Sequence, residues 1–277
     1  VKEVVYEGGM AAPVMDYRIV RSEEDLQAML ESIEAASLVA WDIETTGLEP
    51  VAIDAAVLTV QFSCAPHTGW LLPVDHKDRT LDRGETLQAL ERALLHPGLV
   101  GHNLKFDMRY LLTVLGIQAS RPVADTMIMA HMVDEEASRT GGNGLKALAR
   151  RYTGMGGYED SLSISGGIEA LAAMPLESIL PYACGDTDAT LQVYQALHPI
   201  LEKKGLLPLL ALELDKMELL IEMERNGALA DMGKIEELER AYPEKLSALL
   251  SELNGIPEIK EAVTLWQGRA KGKASSI

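Results

Sequence analysis

Residues 39 to 50 read Val39-Ala40-Trp41-Asp42-Ile43-Glu44-Thr45-Thr46-Gly47-Leu48-Glu49-Pro50. The apolar run from Ser37 to Trp41 has strand character. In a strand, residues i and i+2 point to one face, so Asp42 and Glu44 stand side by side where the strand enters its loop. Two like charges that close raise each other's pKa unless a cation holds them. The stretch therefore predicts an absent cation, and Gly47 lets the following loop turn close to a ligand.

The surrounding pattern predicts where this strand lies. Residues 17–36 read as a short strand and an amphipathic helix whose start, Ser22-Glu23-Glu24-Asp25, is acidic as a helix N-terminus prefers. Residues 37–45, 55–64 and 69–74 read as three strands at hairpin-like spacing. A helix stopped by Pro97, a short strand in Gly98-Leu99-Val100-Gly101-His102-Asn103, and a helix ending at Gly116 follow. From Val123 onward the pattern is helical, interrupted at 154–167 by a Gly/Ser-rich segment expected to be an exposed, mobile loop. Strands first and helices later predict an α/β fold, a mixed sheet flanked by helices. A boundary is expected near Lys204-Gly205, with residues 1–16 a linker, 1–204 one domain, and 205–277 a helical hairpin turning at Asn226-Gly227.

Composition narrows the function. The 277 residues carry 25 basic and 42 acidic side chains, a net charge of -17, which excludes indiscriminate nucleic-acid binding through a basic coat. Phosphate contacts made through metal ions remain open. Two cysteines, Cys64 and Cys184, form no disulfide framework and no zinc site, so a reducing intracellular setting is expected. No signal peptide and no membrane span are read, and the chain is expected to be monomeric. It begins at Val1 and ends Lys271-Gly272-Lys273-Ala274-Ser275-Ser276-Ile277, the look of an excised fragment.

Two further segments answer the question raised by Asp42 and Glu44. In His102-Asn103-Leu104-Lys105-Phe106-Asp107, Asp107 follows a strand end and opens a helix. In Tyr182-Ala183-Cys184-Gly185-Asp186, Tyr182 and Asp186 are i and i+4 and share a helix face. Asp42, Glu44, Asp107 and Asp186 thus bring four carboxylates from three segments. Oxygen-only sets of this kind suit Mg²⁺ or Mn²⁺. Two such ions, about 3.5–4 Å apart, stabilise both the attacking and the leaving oxygen of a phosphoryl displacement.

In order and spacing these segments resemble the three motifs of the DEDD 3'–5' exonucleases, in the subclass with a tyrosine in its third motif. The resemblance spans residues 17–204 and implies a ribonuclease H-like fold. Residues 212–231 resemble the segment leading from such a domain into the thumb of a family A DNA polymerase, whereas the residues after Gly255 depart from that pattern. The resemblance implies two divalent ions, Mg²⁺ or Mn²⁺, with Asp42, Glu44 and Asp186 on the tighter one and Asp42 and Asp107 near the looser one. It implies that Tyr182 and Glu44 orient the attacking water. Thr45, Leu48 and Asn103 would line the pocket of the 3'-terminal nucleotide, with Leu48 a wedge against its base and His102 and Phe106 alongside. The implied partners are a single-stranded DNA 3' end and a polymerase domain in the same parent chain, bacterial or phage-encoded.

Taken singly, these features have blander readings. Asn103 reads equally as a helix cap and His102 as structural, Asp125 reads as a cap, and Cys184 as a small hydrophobe. Met127, Met129 and Met132 read as core filling, and Arg269, Lys271 and Lys273 as a solvated tail. Asp188 lies off the Tyr182/Asp186 face and is expected to be solvated. An RNase D-like exoribonuclease and a spent exonuclease fold kept as a scaffold are the competing functions. The polymerase-like tail speaks against the first, and the complete carboxylate set against the second.

Overall fold

The computed structural model describes residues 14–137, 142–158, 168–260 and 262. Six strands form one mixed sheet: β1 (Asp16–Ile19), β2 (Val39–Thr45), β3 (Val57–Ser63), β4 (Thr68–Pro73), β5 (Leu99–Gly101) and β6 (Ala124–Asp125). Their order is β1-β4-β3-β2-β5-β6, with β2–β3 and β3–β4 antiparallel and β1–β4, β2–β5 and β5–β6 parallel. The parallel additions require crossovers, and α1 (Glu23–Ala35), α2 (Arg83–Leu94) and α3 (Leu104–Val114) lie in those connections. α4 (Thr126–Val133), α5 (Leu145–Tyr152), α6 (Leu176–Lys204) and α7 (Leu207–Asn226) follow.

Local signals set most of the element ends. Ser22 closes a capping box with Asp25 at the start of α1. α2 starts earlier than its apolar pattern suggests, because the Asp82 carboxylate accepts the N–H groups of Gly84 and Glu85. Gly116 beyond α3 and Gly205 at the end of α6 take the left-handed conformation that closes a helix. The two-residue β6 lies inside a stretch whose pattern is otherwise helical; so short an element leaves no period to read.

α6 is the central helix. It packs on β1, β2, β3 and β4, and its residues from Ala183 to Leu191 are all buried. Small side chains permit this closeness. A Cβ at Gly69 of β4 would lie 2.7 Å from the Cβ of Cys184, so neither strand nor helix tolerates bulk there. Cys184 packs as the small hydrophobe expected of it. Trp41, Phe62, Leu72, Leu90 and Leu111 fill the main core, each gaining about 1.5–3 kcal/mol from leaving water.

Two expectations are corrected here. Asp188 is fully buried, accepting hydrogen bonds from the Tyr17 hydroxyl (2.8 Å), the His67 backbone N–H (3.0 Å) and the Gln192 amide (2.8 Å). From Ala183 to Leu191 the helix is covered on all sides and has no solvent face to assign Asp188 to. The described part of the 154–167 segment is only partly exposed: Met155 is buried between exposed Gly154 and Gly156 and Tyr158 is half-buried, while residues 159–167 lie outside the described residues.

The compact unit continues past Gly205 to Asn226. α7 buries Leu210, Leu214, Met217 and Ile221, at helical spacing, and packs against α3 and α4. Arg121 reaches Asp215 (2.8 Å) and the Ala211 carbonyl (2.9 Å), and Lys105 and Arg109 both pair with Glu224. The second unit, 227–277, holds α8 (Met232–Gly255), capped by Asp231 and without a buried residue. Arg269, Lys271 and Lys273 lie outside the described residues. No described helix is long and apolar enough to cross a membrane.

Candidate active site

The site forms where β2 meets α6. Along β2, Trp41, Ile43 and Thr45 are buried, while Asp42 and Glu44 point to the other face and stay partly exposed. Strand alternation alone places the two carboxylates together. Asp186 on α6 joins them: one oxygen from each of Asp42, Glu44 and Asp186 lies within 4.8 Å of the others. Asp107, in the first turn of α3, is buried beside this trio and accepts the Ile43 backbone N–H at 3.3 Å.

Three carboxylates so close resist ionising together. Burial, then the Asp186 charge, push Asp42 up to about 8. Burial followed by Asp42 and Asp186 raises Glu44 well above its usual range, and burial with the Asp42 charge does the same to Asp107. Asp186 is raised by burial against the opposing pull of Lys146, Tyr158 and Tyr182. An all-oxygen set short of positive charge fits a hard divalent cation, which would let every member ionise.

Lys146 is the residue that sequence reasoning missed. From α5 its ammonium donates to both Asp186 oxygens, at 2.8 and 3.0 Å, and to the Tyr182 hydroxyl at 3.2 Å. It also lies 4.6 Å from the centre of the Tyr182 ring. Tyr182 and Asp186 do share one face of α6, as their spacing requires. Burial and the Asp186 charge hold the Tyr182 phenol up at about 12. Tyr158, also unassigned from sequence, donates its hydroxyl to Asp186. Its ring lies where a Cβ on Gly185 would reach, 2.6 Å from Cδ2, so glycine there lets the tyrosine in.

The residues expected to face a nucleotide differ in their settings. Thr45 is buried with its hydroxyl on the Gly47 carbonyl (2.8 Å). Thr46 ties the loop base through the Asp54 carbonyl and the Ala56 N–H, and the loop presents Leu48 at 62% exposure. Asn103 is exposed, left-handed (φ 61°) and makes no side-chain cap. Asp125 caps in its place, accepting the N–H groups of Asn103 (3.2 Å) and Leu104 (2.7 Å) as well as those of Met127 and Ile128 at its own helix. His102 contacts the Thr126 hydroxyl at 2.9 Å, and burial with the Lys146 charge lowers it to about 4, so it is neutral at pH 7. Phe106 stacks obliquely on Tyr110, ring centres 5.5 Å apart.

A sheet-and-helix frame carries this partly buried carboxylate cluster, and comparison with known proteins gives its class. A family model described as 3'-5' exonuclease matches residues 17–202. DNA polymerase I of Pseudomonas aeruginosa is 31% identical over 265 residues, covering 90% of this chain and 28% of that protein. DNA polymerase I of Chloroflexus aurantiacus is 31% identical over 244 residues, covering 85% and 25%. Among solved structures, Brucella melitensis NrnC with bound Mg²⁺ aligns at a TM-score of 0.54 and 18% identity, over 79% of this chain and 98% of that one. Escherichia coli RNase D aligns at 0.54 and 19%, over 78% and 52%. These structures share the fold. The chain belongs to the 3'-5' exonuclease family, as the type of domain carried by family A DNA polymerases, and is a hydrolase. It spans about a quarter of the length of those two curated relatives.

Proposed function

We propose that this chain is a 3'–5' exodeoxyribonuclease that removes single nucleotides, as 5'-monophosphates, from a frayed single-stranded DNA end by a two-metal mechanism. The observation that carries the reading is the Asp42, Glu44 and Asp186 trio, drawn within 4.8 Å with Asp107 at its edge. Asp42, Glu44 and Asp186 would hold one divalent ion, and Asp42 with Asp107 a second. Ions held by these residues would supply the acidification of a bound water and charge stabilisation at the leaving oxygen.

The chain's own residues do the positioning. Tyr182 and Glu44 hold the water in line with the phosphorus. A phenol held at about 12 keeps its proton at neutral pH, so Tyr182 orients rather than deprotonates. Leu48, on its tied loop, wedges against the terminal base, while Thr45 and Asn103, with His102 and Phe106 behind, shape the nucleotide pocket. The net charge of -17 leaves phosphate affinity to the site itself.

The relatives' names support a parent chain that also carries a polymerase, for which this domain is the proofreader. Residues 205–277 are then the start of the polymerase thumb, with 1–204 the exonuclease domain. The test is digestion of 5'-labelled single-stranded DNA and RNA of one sequence in Mg²⁺. A ladder shortening from the 3' end, faster on DNA, is expected. No ladder refutes the activity, and faster loss of RNA favours the RNase D-like alternative.

A further inference from the structure

Lys146 lies at the reaction centre without a part in the mechanism above. Its ammonium bonds both oxygens of Asp186, which are the oxygens Asp186 would offer to a metal. It also bonds Tyr182, the residue assigned to orient the water. The side chain is 34% exposed and reaches in from α5 on a flexible stem, so the ammonium can move without the backbone moving. A divalent cation on Asp186 would repel an ammonium held 2.8 Å from the same carboxylate, and the anion that substrate brings to this cleft is a phosphodiester. Lys146 is therefore a cation with two available partners.

We propose that Lys146 is a phosphate-binding residue held in reserve on Asp186: metal on the carboxylates releases its ammonium to the phosphodiester of the 3'-terminal nucleotide. The proposal rests on the metal reading given above. It makes metal and Lys146 competitors for Asp186, and makes metal and DNA cooperative, because the first ligand frees the group the second needs.

The test titrates Mn²⁺ calorimetrically into wild type, K146M and K146R without DNA. It then measures binding of a single-stranded oligonucleotide, blocked by a 3'-terminal phosphorothioate linkage, across a range of salt. K146M should bind Mn²⁺ about tenfold tighter. It should bind the oligonucleotide about tenfold more weakly in Mn²⁺, its salt slope smaller by about 0.7, one phosphate contact on a single strand. K146R should restore the slope.

Wild type that binds no Mn²⁺ overturns the metal reading and this proposal together. Wild type that binds Mn²⁺ with the same affinity as K146M overturns this proposal alone, as does an unchanged oligonucleotide affinity and slope. Wild-type protein gives the same answer without a variant. Acylation of Lys146, followed by mass spectrometry, should be slow in chelator, faster in Mn²⁺ and slow again with oligonucleotide added. A rate indifferent to Mn²⁺ overturns the proposal.

Discussion

Replacing Asp42 with Asn should stabilise the metal-free protein at pH 8. Burial and Asp186 carry the Asp42 carboxyl from an ordinary 3.8 to about 8, a change of at most roughly 6 kcal/mol in its ionisation. Asp42, Glu44 and Asp186 share that repulsion, and the partly exposed side chain keeps some water. We therefore expect D42N to gain about 1–3 kcal/mol, or some 3–10 °C in Tm for a unit of this size. A carboxyl raised on folding contributes stability that is complete below its unfolded pKa and lost as pH rises through its folded one. The advantage of D42N should thus vanish near pH 4 and grow toward pH 8. Thermal unfolding in chelator at both pH values reads this directly. In Mg²⁺ the advantage of D42N should shrink, since wild type gains about 2.7 kcal/mol at a hundredfold excess over Kd and the variant gains less. Equal gains at pH 4 and pH 8, or a D42N protein less stable than wild type in chelator at pH 8, would refute the reasoning.

Other outcomes follow from the same geometry. Tyr182→Phe should slow cleavage about 10–100-fold, roughly 1.4–2.7 kcal/mol of barrier, with Mn²⁺ affinity changed little, and steady-state rates with a Mn²⁺ titration check both. A variant as inactive as Asp42→Ala would make the tyrosine the proton acceptor. A single-stranded 3' end should be cut much faster than a blunt paired end, because unpairing the last nucleotide costs a few kcal/mol; equal rates on labelled duplex and single strand would count against the pocket. Asp188→Ala strands the Tyr17 hydroxyl and the His67 N–H, and should cost about 3–5 kcal/mol in denaturant unfolding. A loss under 1 kcal/mol would return Asp188 to the surface role its sequence position suggested.

What the sequence disclosed and what it hid have physical reasons. Asp42 and Glu44 were legible because strand alternation is local, and Tyr182 with Asp186 because one helical turn is local too. Lys146 was not: in Gly144-Leu145-Lys146-Ala147-Leu148 it reads as the polar side of a short amphipathic helix. Only the packing of α5 on α6 turns it toward Asp186. Tyr158 was hidden among glycines that signal a loop, and Asp188 by a face argument that fails where a stretch of helix is buried all round. Asp125 was readable as the cap of α4, but its second task, capping α3 in place of Asn103, links residues 21 and 22 apart. No pattern of that length is visible in a chain.

The central claim is that Asp42, Glu44, Asp107 and Asp186 form one two-cation centre at a DNA end. Anomalous scattering from crystals grown with Mn²⁺ and a nucleoside 5'-monophosphate tests it most directly. One strong peak bounded by Asp42, Glu44 and Asp186 is predicted, with a second, weaker peak between Asp42 and Asp107 and the phosphate against both. Crystals with the nucleotide bound and no peak at the carboxylates would contradict the account.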